Sequence, residues 1–147
     1  MLAMRPAGPD DSTDILSWRN DPATRQVSLN QNIITVEEHT AWYARALGDQ
    51  GKILLIGMNG QDKIGIVHFH CENLVARVSI NLNPAFRGQG YGARLLLESE
   101  AFLPAGVRQI LADIKDKNEA SKHVFEKAGY TPNTKTGDLH TYLKILP

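Results

Sequence analysis

The 147-residue sequence has one cysteine, Cys71, and no surplus of charge of either sign. A single cysteine excludes an intrachain disulfide and any metal site built from several cysteines. Lys plus Arg and Asp plus Glu each number 16, so the formal net charge is zero. A general nucleic-acid binder or a polybasic membrane binder needs an excess of positive charge, so neither class is expected.

Long hydrophobic runs are also missing. No apolar stretch could span a bilayer, and the N-terminus lacks the pattern of a signal peptide. Hydrophobic residues make up 42% of the chain and charged residues 22%, which is ordinary globular usage and predicts a folded protein. We therefore expect a cytoplasmic protein with a single domain over residues 1–147.

The first third of the chain carries strand and helix signals. Residues 1–5 are a predicted strand, and capping residues at 10–12 precede a predicted helix that stops before Asp21. Thr35-Val36-Glu37-Glu38 fits a capping box and predicts the start of a second helix. The inward stripe of that helix, at helical spacing, consists of His39, Trp42, Tyr43, Ala46 and Leu47.

The rest of the chain also alternates between predicted strands and predicted helices, which predicts an α/β or α+β layered domain. Residues 52–58, 63–71 and 74–82 read as an antiparallel meander, with a hairpin signal at Asn59-Gly60. A helix with the inward residues Leu95, Leu96, Ser99, Phe102 and Leu103 follows. Then come a strand at 109–114, a helix capped by Asn118, and final strands at 130–132 and 139–146. The inner face of the last helix is predicted to consist of Ala120, Ser121, Val124, Phe125 and Ala128.

A glycine-rich turn, Arg-Gly-Gln-Gly-Tyr-Gly at residues 87–92, stands between a predicted strand and a predicted helix. Glycine lets the backbone come close to a ligand, and a helix N-terminus adds partial positive charge. The turn therefore predicts a phosphate or pyrophosphate site made of backbone amides. The G-K-[ST] ending of a P-loop is absent, and the preceding meander does not suit a dinucleotide-binding parallel sheet.

Two motifs resemble those of the GNAT N-acetyltransferases. Arg87-x-x-Gly90-x-Gly92 is similar to the [Q/R]-x-x-G-x-[G/A] pyrophosphate loop of that family. The segment from Asn118-Glu119-Ala120-Ser121 to Gly129-Tyr130 resembles its second motif, at the typical distance. The resemblance covers nearly the whole chain and implies the GNAT acyl-CoA N-acyltransferase fold, a mixed, mostly antiparallel sheet flanked by helices on both faces.

A narrower likeness lies in the N-terminal part. Trp18-Arg19-Asn20-Asp21 with Arg25, and Glu37-Glu38-His39-x-x-Trp42, resemble the branch of ribosomal-protein N-terminal acetyltransferases and amino-sugar acetyltransferases of the route to pseudaminic acid. This likeness implies a small-molecule amine as acceptor, with a nucleotide-linked amino sugar preferred. A protein N-terminal or lysine acetyltransferase and a non-catalytic acyl-CoA-binding module are the alternatives. We expect a monomer or homodimer.

The resemblance implies that the chain takes acetyl-CoA as substrate and needs no metal. The pyrophosphate would lie on the backbone amides of residues 88–92, and the strand at 80–82 would pair with the pantetheine arm. Further contacts are expected from residues on both sides of the cofactor. The implied cofactor-binding residues are Ile80, Leu82, Arg87, Gly88, Gln89, Gly90, Tyr91, Gly92, Asn118, Ser121 and Phe125.

The implied reaction is direct attack of a neutral amine on the thioester. A backbone N–H near Leu82 would donate to the oxyanion. Many family members carry Tyr at the position of Phe125, where its hydroxyl protonates the thiolate. Phenylalanine cannot do this, so Tyr130, Tyr142 or water would replace it, or the thiolate would leave unassisted.

Four side chains are candidates for the general base: Glu38, His39, His68 and His70. The capping box accounts for Glu38, and His68 and His70 are predicted to share a strand face with Ile64 and Ile66. Because histidine titrates near neutrality, we predict that His39 or His70 accepts the amine proton or orders a water. The plainer alternative for each histidine is a structural one.

Overall fold

Seven strands form one mixed sheet in the computed structural model, which describes all 147 residues. The strands, in chain order, are β1 Leu2–Pro6, β2 Lys52–Asn59, β3 Asp62–Glu72, β4 Val75–Leu82, β5 Gln109–Lys115, β6 Thr131–Thr136 and β7 Leu139–Ile145. The helices are α1 Ser12–Asn20, α2 Pro22–Val27, α3 Val36–Gly48, α4 Tyr91–Ser99 and α5 Glu119–Lys127. No helix is both long and apolar enough to cross a membrane.

The sheet order is β1-β2-β3-β4-β5-β7-β6, and only β4 and β5 run parallel. The other five pairings are antiparallel. A parallel pair needs a crossover, which here includes the glycine-rich turn and α4. The predicted mixed, mostly antiparallel sheet is therefore confirmed.

Helices cover both faces of the sheet, so the chain has two hydrophobic cores. The larger core, of 17 buried residues, packs α4 and α5 against one face and includes Leu95, Leu96 and Phe125. The smaller core packs α1 and α3 against the other face. Its buried residues are Ile15, Trp18, Tyr43, Ala46, Leu54, Ile56 and Ile66.

Helix α3 begins where the capping box predicts. The Thr35 hydroxyl accepts from the Glu38 N–H at 3.1 Å, and the Glu38 carboxylate accepts from the Thr35 N–H at 3.3 Å. His39, Tyr43 and Ala46 of the predicted stripe are buried. Leu47 is exposed, because it lies at the edge of the face that meets the sheet.

Helix α2 was not predicted from the sequence. Asp21-Pro22 was interpreted only as the end of α1, but it also starts the next helix. The Asp21 carboxylate accepts from the Thr24 N–H at 3.1 Å, and Pro22 occupies the first helical position. Both are ordinary helix-start chemistry, so the sequence signal was present.

Strand β3 carries an irregularity that changes which side chains share a face. The register with β2 shifts beside Gly57 and leaves Ile64 without a partner on β2. An extra residue in one strand breaks the alternation of its side chains. Ile64 consequently packs in the larger core and Ile66 in the smaller one. The prediction that Ile64 shares the face of His68 is therefore wrong.

Three smaller expectations also differ. Leu74 belongs to the turn before β4, where both it and Asn73 have positive φ. Phe102, predicted on the inward stripe, is 39% exposed because α4 tightens into a 3-10 turn after Ser99. Ala120 is exposed in the first turn of α5, where it lines a cleft between this helix and β4.

Candidate active site

Strands β4 and β5 separate partway along their length and open a cleft. They pair only from Val75 and Gln109 to Arg77 and Leu111. Beyond that point lies a cleft of about 890 Å³, bounded by β4, the glycine-rich turn, α2 and α5. A split between neighbouring strands leaves backbone groups without partners, which an extended ligand can use.

The hydrogen-bond alternation of β4 identifies which backbone groups face this cleft. The Asn83 N–H donates to Ile64 O at 2.9 Å, on the side of β3. Because antiparallel bonding alternates residue by residue, Ile80 and Leu82 direct their N–H and C=O groups away from β3. Both residues line the cleft.

The glycine-rich turn forms one end of the cleft. Gly90 is the N-cap of α4 in the left-handed region, at φ 80° and ψ 10°. Gly92 lies against α5, where an added Cβ would come within 2.9 Å of a Val124 methyl carbon. Gly88, Gly90, Tyr91 and Gly92 line the cleft, whereas Gln89 does not.

The Arg87 side chain is bonded to α2. Its guanidinium lies 2.8 Å from the Asp21 carboxylate and also donates to the Thr24 hydroxyl. Hydrogen bonding from Arg87 lowers the pKa of Asp21. The ion pair therefore ties the glycine-rich turn to the helix that forms the opposite wall.

Helix α5 supplies the third wall of the cleft. The Asn118 side chain caps the helix by accepting from the Ser121 N–H at 3.1 Å, and both residues line the cleft. Phe125 also lines it but is only 3% exposed, and its ring packs edge-on against Tyr130 with centroids 5.0 Å apart. Asn118 is thus a cap as well as a cleft residue.

A second cavity, of about 580 Å³, lies on the α1 and α3 side of the sheet. It shares three residues with the cleft, Arg19, Ser79 and Asn81, so the two spaces meet at β4. We name it the acceptor cavity, for the role that we propose for it. It is lined by Ile15, Arg19, Ile34, Glu38, His39, Ala41, Trp42, Arg45, Ile66, His68, Ser79 and Asn81.

Two histidines of the acceptor cavity hold unpartnered nitrogens. The Nε2 atoms of His39 and His68 are buried and make no hydrogen bond. Burial lowers the pKa of His39, and burial with nearby positive charge lowers the pKa of His68 to about 4. Both imidazoles are therefore neutral at pH 7. Trp42 contacts both rings, with centroid distances of 5.9 Å to His39 and 5.8 Å to His68.

His70 does not line the acceptor cavity. It is exposed, two residues beyond His68 on β3 and opposite Arg77, where β4 still pairs with β5. His70 therefore shares the face of His68 but lies beyond the cavity, so of the two strand histidines the structure places His68 in the cavity lining and not the expected His70.

The two tyrosines predicted as acids lie outside both spaces. Tyr130 is 2% exposed in the larger core, its hydroxyl has no partner, and burial raises its pKa. Tyr142 is also 2% exposed, and its hydroxyl lies 3.5 Å from the Glu126 carboxylate. Burial raises the pKa of Tyr142 too. Neither hydroxyl reaches the cleft.

The motif Trp18-Arg19-Asn20 at the end of α1 bonds to the segment that connects α2 with α3, which spans residues 28–35. The Asn20 side chain bonds both the N–H and the C=O of Ile34 at 2.8 Å. Arg19 donates to Asn30 O at 2.6 Å, and Arg25 donates to Gln31 O at 3.4 Å. The motif therefore builds a wall of the acceptor cavity rather than making surface ion pairs.

Two site residues were missed in the sequence, although a signal was present. Ser79 and Asn81 alternate with apolar residues in β4, on the face that bears α1 and α3. Polar side chains on a covered strand face indicate a cavity or a site. No group of three or more His, Cys, Asp and Glu residues is arranged to hold a metal.

The family comparison agrees with this geometry. A family model described as an acetyltransferase (GNAT) domain matches residues 1–131. YwnH of Bacillus subtilis (strain 168), whose name proposes a phosphinothricin acetyltransferase, is 30% identical over 114 residues. That alignment covers 74% of this chain and 70% of YwnH.

Solved structures share the fold. Spermidine N-acetyltransferase from Vibrio cholerae, in complex with CoA and spermine, aligns with a TM-score of 0.84 at 17% identity, covering 98% of this chain and 95% of that one. The aminoglycoside acetyltransferase AAC(6')-Ib, in complex with coenzyme A, aligns with a TM-score of 0.82 at 17% identity. This alignment covers 99% of this chain and 95% of that one.

Proposed function

The chain belongs to the GNAT acetyltransferase family and is an acetyl-CoA-dependent N-acetyltransferase, and we propose that acetyl-CoA binds in the cleft between β4 and β5. The glycine-rich turn fits a pyrophosphate, because its amides lie at the N-terminus of α4 and the turn lines the cleft. This placement is the observation that carries the proposal.

The open edge of β4 would receive the pantetheine arm. Ile80 and Leu82 offer alternate N–H and C=O groups on the cleft side, which is the pattern that strand addition uses. The N–H of Leu82 is the proposed oxyanion donor. The N–H of Ile80 lies two residues closer to the point where β4 and β5 begin to pair. Asn118, Ser121 and Phe125 would flank the cofactor from α5.

The acceptor amine would enter from the acceptor cavity and meet the thioester near Ser79 and Asn81. Acetyl-CoA supplies an activated acyl group, and transfer forms an N–C bond as the C–S bond breaks. His39 or His68, neutral at pH 7, would accept the amine proton directly or through water. Because Tyr130 and Tyr142 are buried away from the cleft, we propose that the thiolate leaves without a tyrosine acid and takes its proton from solvent.

Two acceptor classes have support. The Trp-Arg-Asn motif and the segment from Glu37 to Trp42 support a nucleotide-linked amino sugar. The likeness to YwnH supports a phosphinothricin-like amino acid. Both carry a primary amine, which would enter the acceptor cavity of about 580 Å³.

The test is release of the CoA thiol from acetyl-CoA in the presence of an amine panel. The panel holds a nucleotide-linked 4-amino sugar, phosphinothricin, spermidine, kanamycin and a peptide with a free N-terminus and a lysine. We expect turnover with a small amine. CoA binding without thiol release for every amine would favour the non-catalytic module, and turnover of the peptide alone would favour the protein acetyltransferase.

A further inference from the structure

The acceptor cavity concentrates polar atoms that lack partners. The chain has five buried side-chain polar atoms without a hydrogen bond, and three of them belong to residues lining this cavity. They are Arg19 Nη1, His39 Nε2 and His68 Nε2. Most buried polar groups in folded proteins are bonded, so such a cluster indicates groups kept for a ligand.

The side chains that line the cavity carry more positive than negative charge. Arg19 and Arg45 line it, and neither forms an ion pair. Burial, and after it the positive charge of nearby Arg25, lowers the pKa of Arg19, and Arg25 forms no ion pair either. The one carboxylate in the lining, Glu38, bonds the Thr35 N–H in the capping box.

Arg19 lies where the two spaces meet, because it lines both the acceptor cavity and the cleft between β4 and β5. Its guanidinium makes one bond, from Nη2 to the main-chain carbonyl of Asn30. That carbonyl is neutral and belongs to the exposed connection at residues 28–35. An anionic group would replace the Asn30 carbonyl and form a stronger, bidentate pair with the guanidinium.

We propose that the acceptor is a primary amine that also carries an anionic group, and that Arg19 binds this group in exchange for the Asn30 carbonyl. The anion is a carboxylate or phosphinate of an amino acid, or the diphosphate of a sugar nucleotide. Neutral His39 and His68 accept hydrogen bonds at the amine end. A polycation would add positive charge beside uncompensated arginines, so such amines are poor acceptors. The proposal rests on the proposed function, in which acetyl-CoA in the cleft meets an amine that enters from the acceptor cavity.

The test compares matched acceptors that differ in the anion. One pair is a nucleotide-linked 4-amino sugar and the free 4-amino sugar, and the other is phosphinothricin and its methyl diester. Spermidine and kanamycin are the polycations. We expect an anionic member to be the best substrate, with kcat/KM at least about tenfold above that of its partner without the anion. The pair that shows the difference identifies which source of the anion the protein uses.

The variant Arg19→Gln separates recognition of charge from support of the wall. We expect it to raise KM for the acceptor with the anion about ten- to a hundredfold and to change KM for the partner without the anion by less than about threefold. Arg19→Lys should recover part of the loss. Arg77→Gln is the control, because Arg77 lies outside both spaces and pairs with Asp113. Thermal melting and CoA affinity verify that each variant is folded.

Two results would overturn the inference while leaving N-acetyl transfer intact. In the first, the best acceptor has no anionic group. In the second, Arg19→Gln raises KM equally for both members of a pair. Transfer to no amine, although CoA binds, would overturn the proposed function and this inference with it.

Discussion

Replacing Gly90 by alanine tests the proposed pyrophosphate site at a single position. Gly90 has φ 80°, and an added Cβ would meet no protein atom within 4 Å. The cost to stability therefore comes from the backbone alone, about 1–2 kcal/mol for an L-residue in the left-handed region. For a chain of this size that lowers Tm by about 2–8 °C.

Gly137 is a matched control. It has φ 61°, its Cβ would also meet open space, and it lies in the turn between β6 and β7, outside the cleft. We expect Gly137→Ala to lose a similar amount of stability and to keep its affinity for CoA. Gly90→Ala should lose CoA affinity as well, by roughly tenfold for each amide–phosphate bond that its relaxed backbone turns away.

The assay is calorimetric titration of CoA into wild type and both variants, with thermal melting alongside. Equal CoA affinity in Gly90→Ala and wild type would refute the placement of the pyrophosphate on this turn. A loss of affinity in Gly137→Ala as large as that in Gly90→Ala would show that strain anywhere in the fold, rather than the turn, controls binding.

Three further perturbations follow from the burial and charge of single residues. Asp11 is 2% exposed and pairs with Arg5 and Lys63 at 2.8 Å, so Asp11→Asn should cost about 2–4 kcal/mol in urea unfolding at pH 7. Arg5 and Lys63 lower the pKa of Asp11 in the folded state. The extra stability of wild type over Asp11→Asn is therefore present above the ordinary pKa of an aspartate, near 4, and is lost as the pH falls below that value. A stability difference at pH 2 equal to that at pH 7 would contradict this. Burial lowers the pKa of His68 to about 4, so wild type should lose about 3 kcal/mol between pH 6.5 and 4 as the unfolded chain binds a proton, and His68→Gln should not show this loss. Phe125→Ala should cost about 3–5 kcal/mol of stability and leave kcat per folded molecule nearly unchanged, whereas intact stability with lost turnover would give Phe125 a chemical role.

The sequence predicts the parts of the site that are local. Gly90, Gly92 and Asn118 lie in short motifs whose chemistry follows from a turn or a helix end, and the structure places all three in one cleft. The capping box at Thr35 is likewise local and appears as expected. The family resemblance, rather than a local pattern, singled out the strand at 80–82, and Ile80 and Leu82 line the same cleft.

The parts that failed depend on distant packing. His68 and His70 share a face of β3, and the packing of α3 over that face decides that His68 lines the cavity whereas His70 does not, which no local pattern marks. Tyr130 and Tyr142 carry acidic hydroxyls in the sequence, but their burial in the larger core is a property of the folded sheet. Arg87 pairs with Asp21, 66 positions away, which only the fold brings together.

The central claim is that acetyl-CoA occupies the split between β4 and β5, with its pyrophosphate on the glycine-rich turn. Amide chemical shifts of the ¹⁵N-labelled chain, measured during titration with CoA, test it most directly. The account predicts the largest shifts at residues 88–92, at Ile80 and Leu82, and at the start of α5. Saturable binding with its largest shifts elsewhere, and none on the glycine-rich turn, would contradict it.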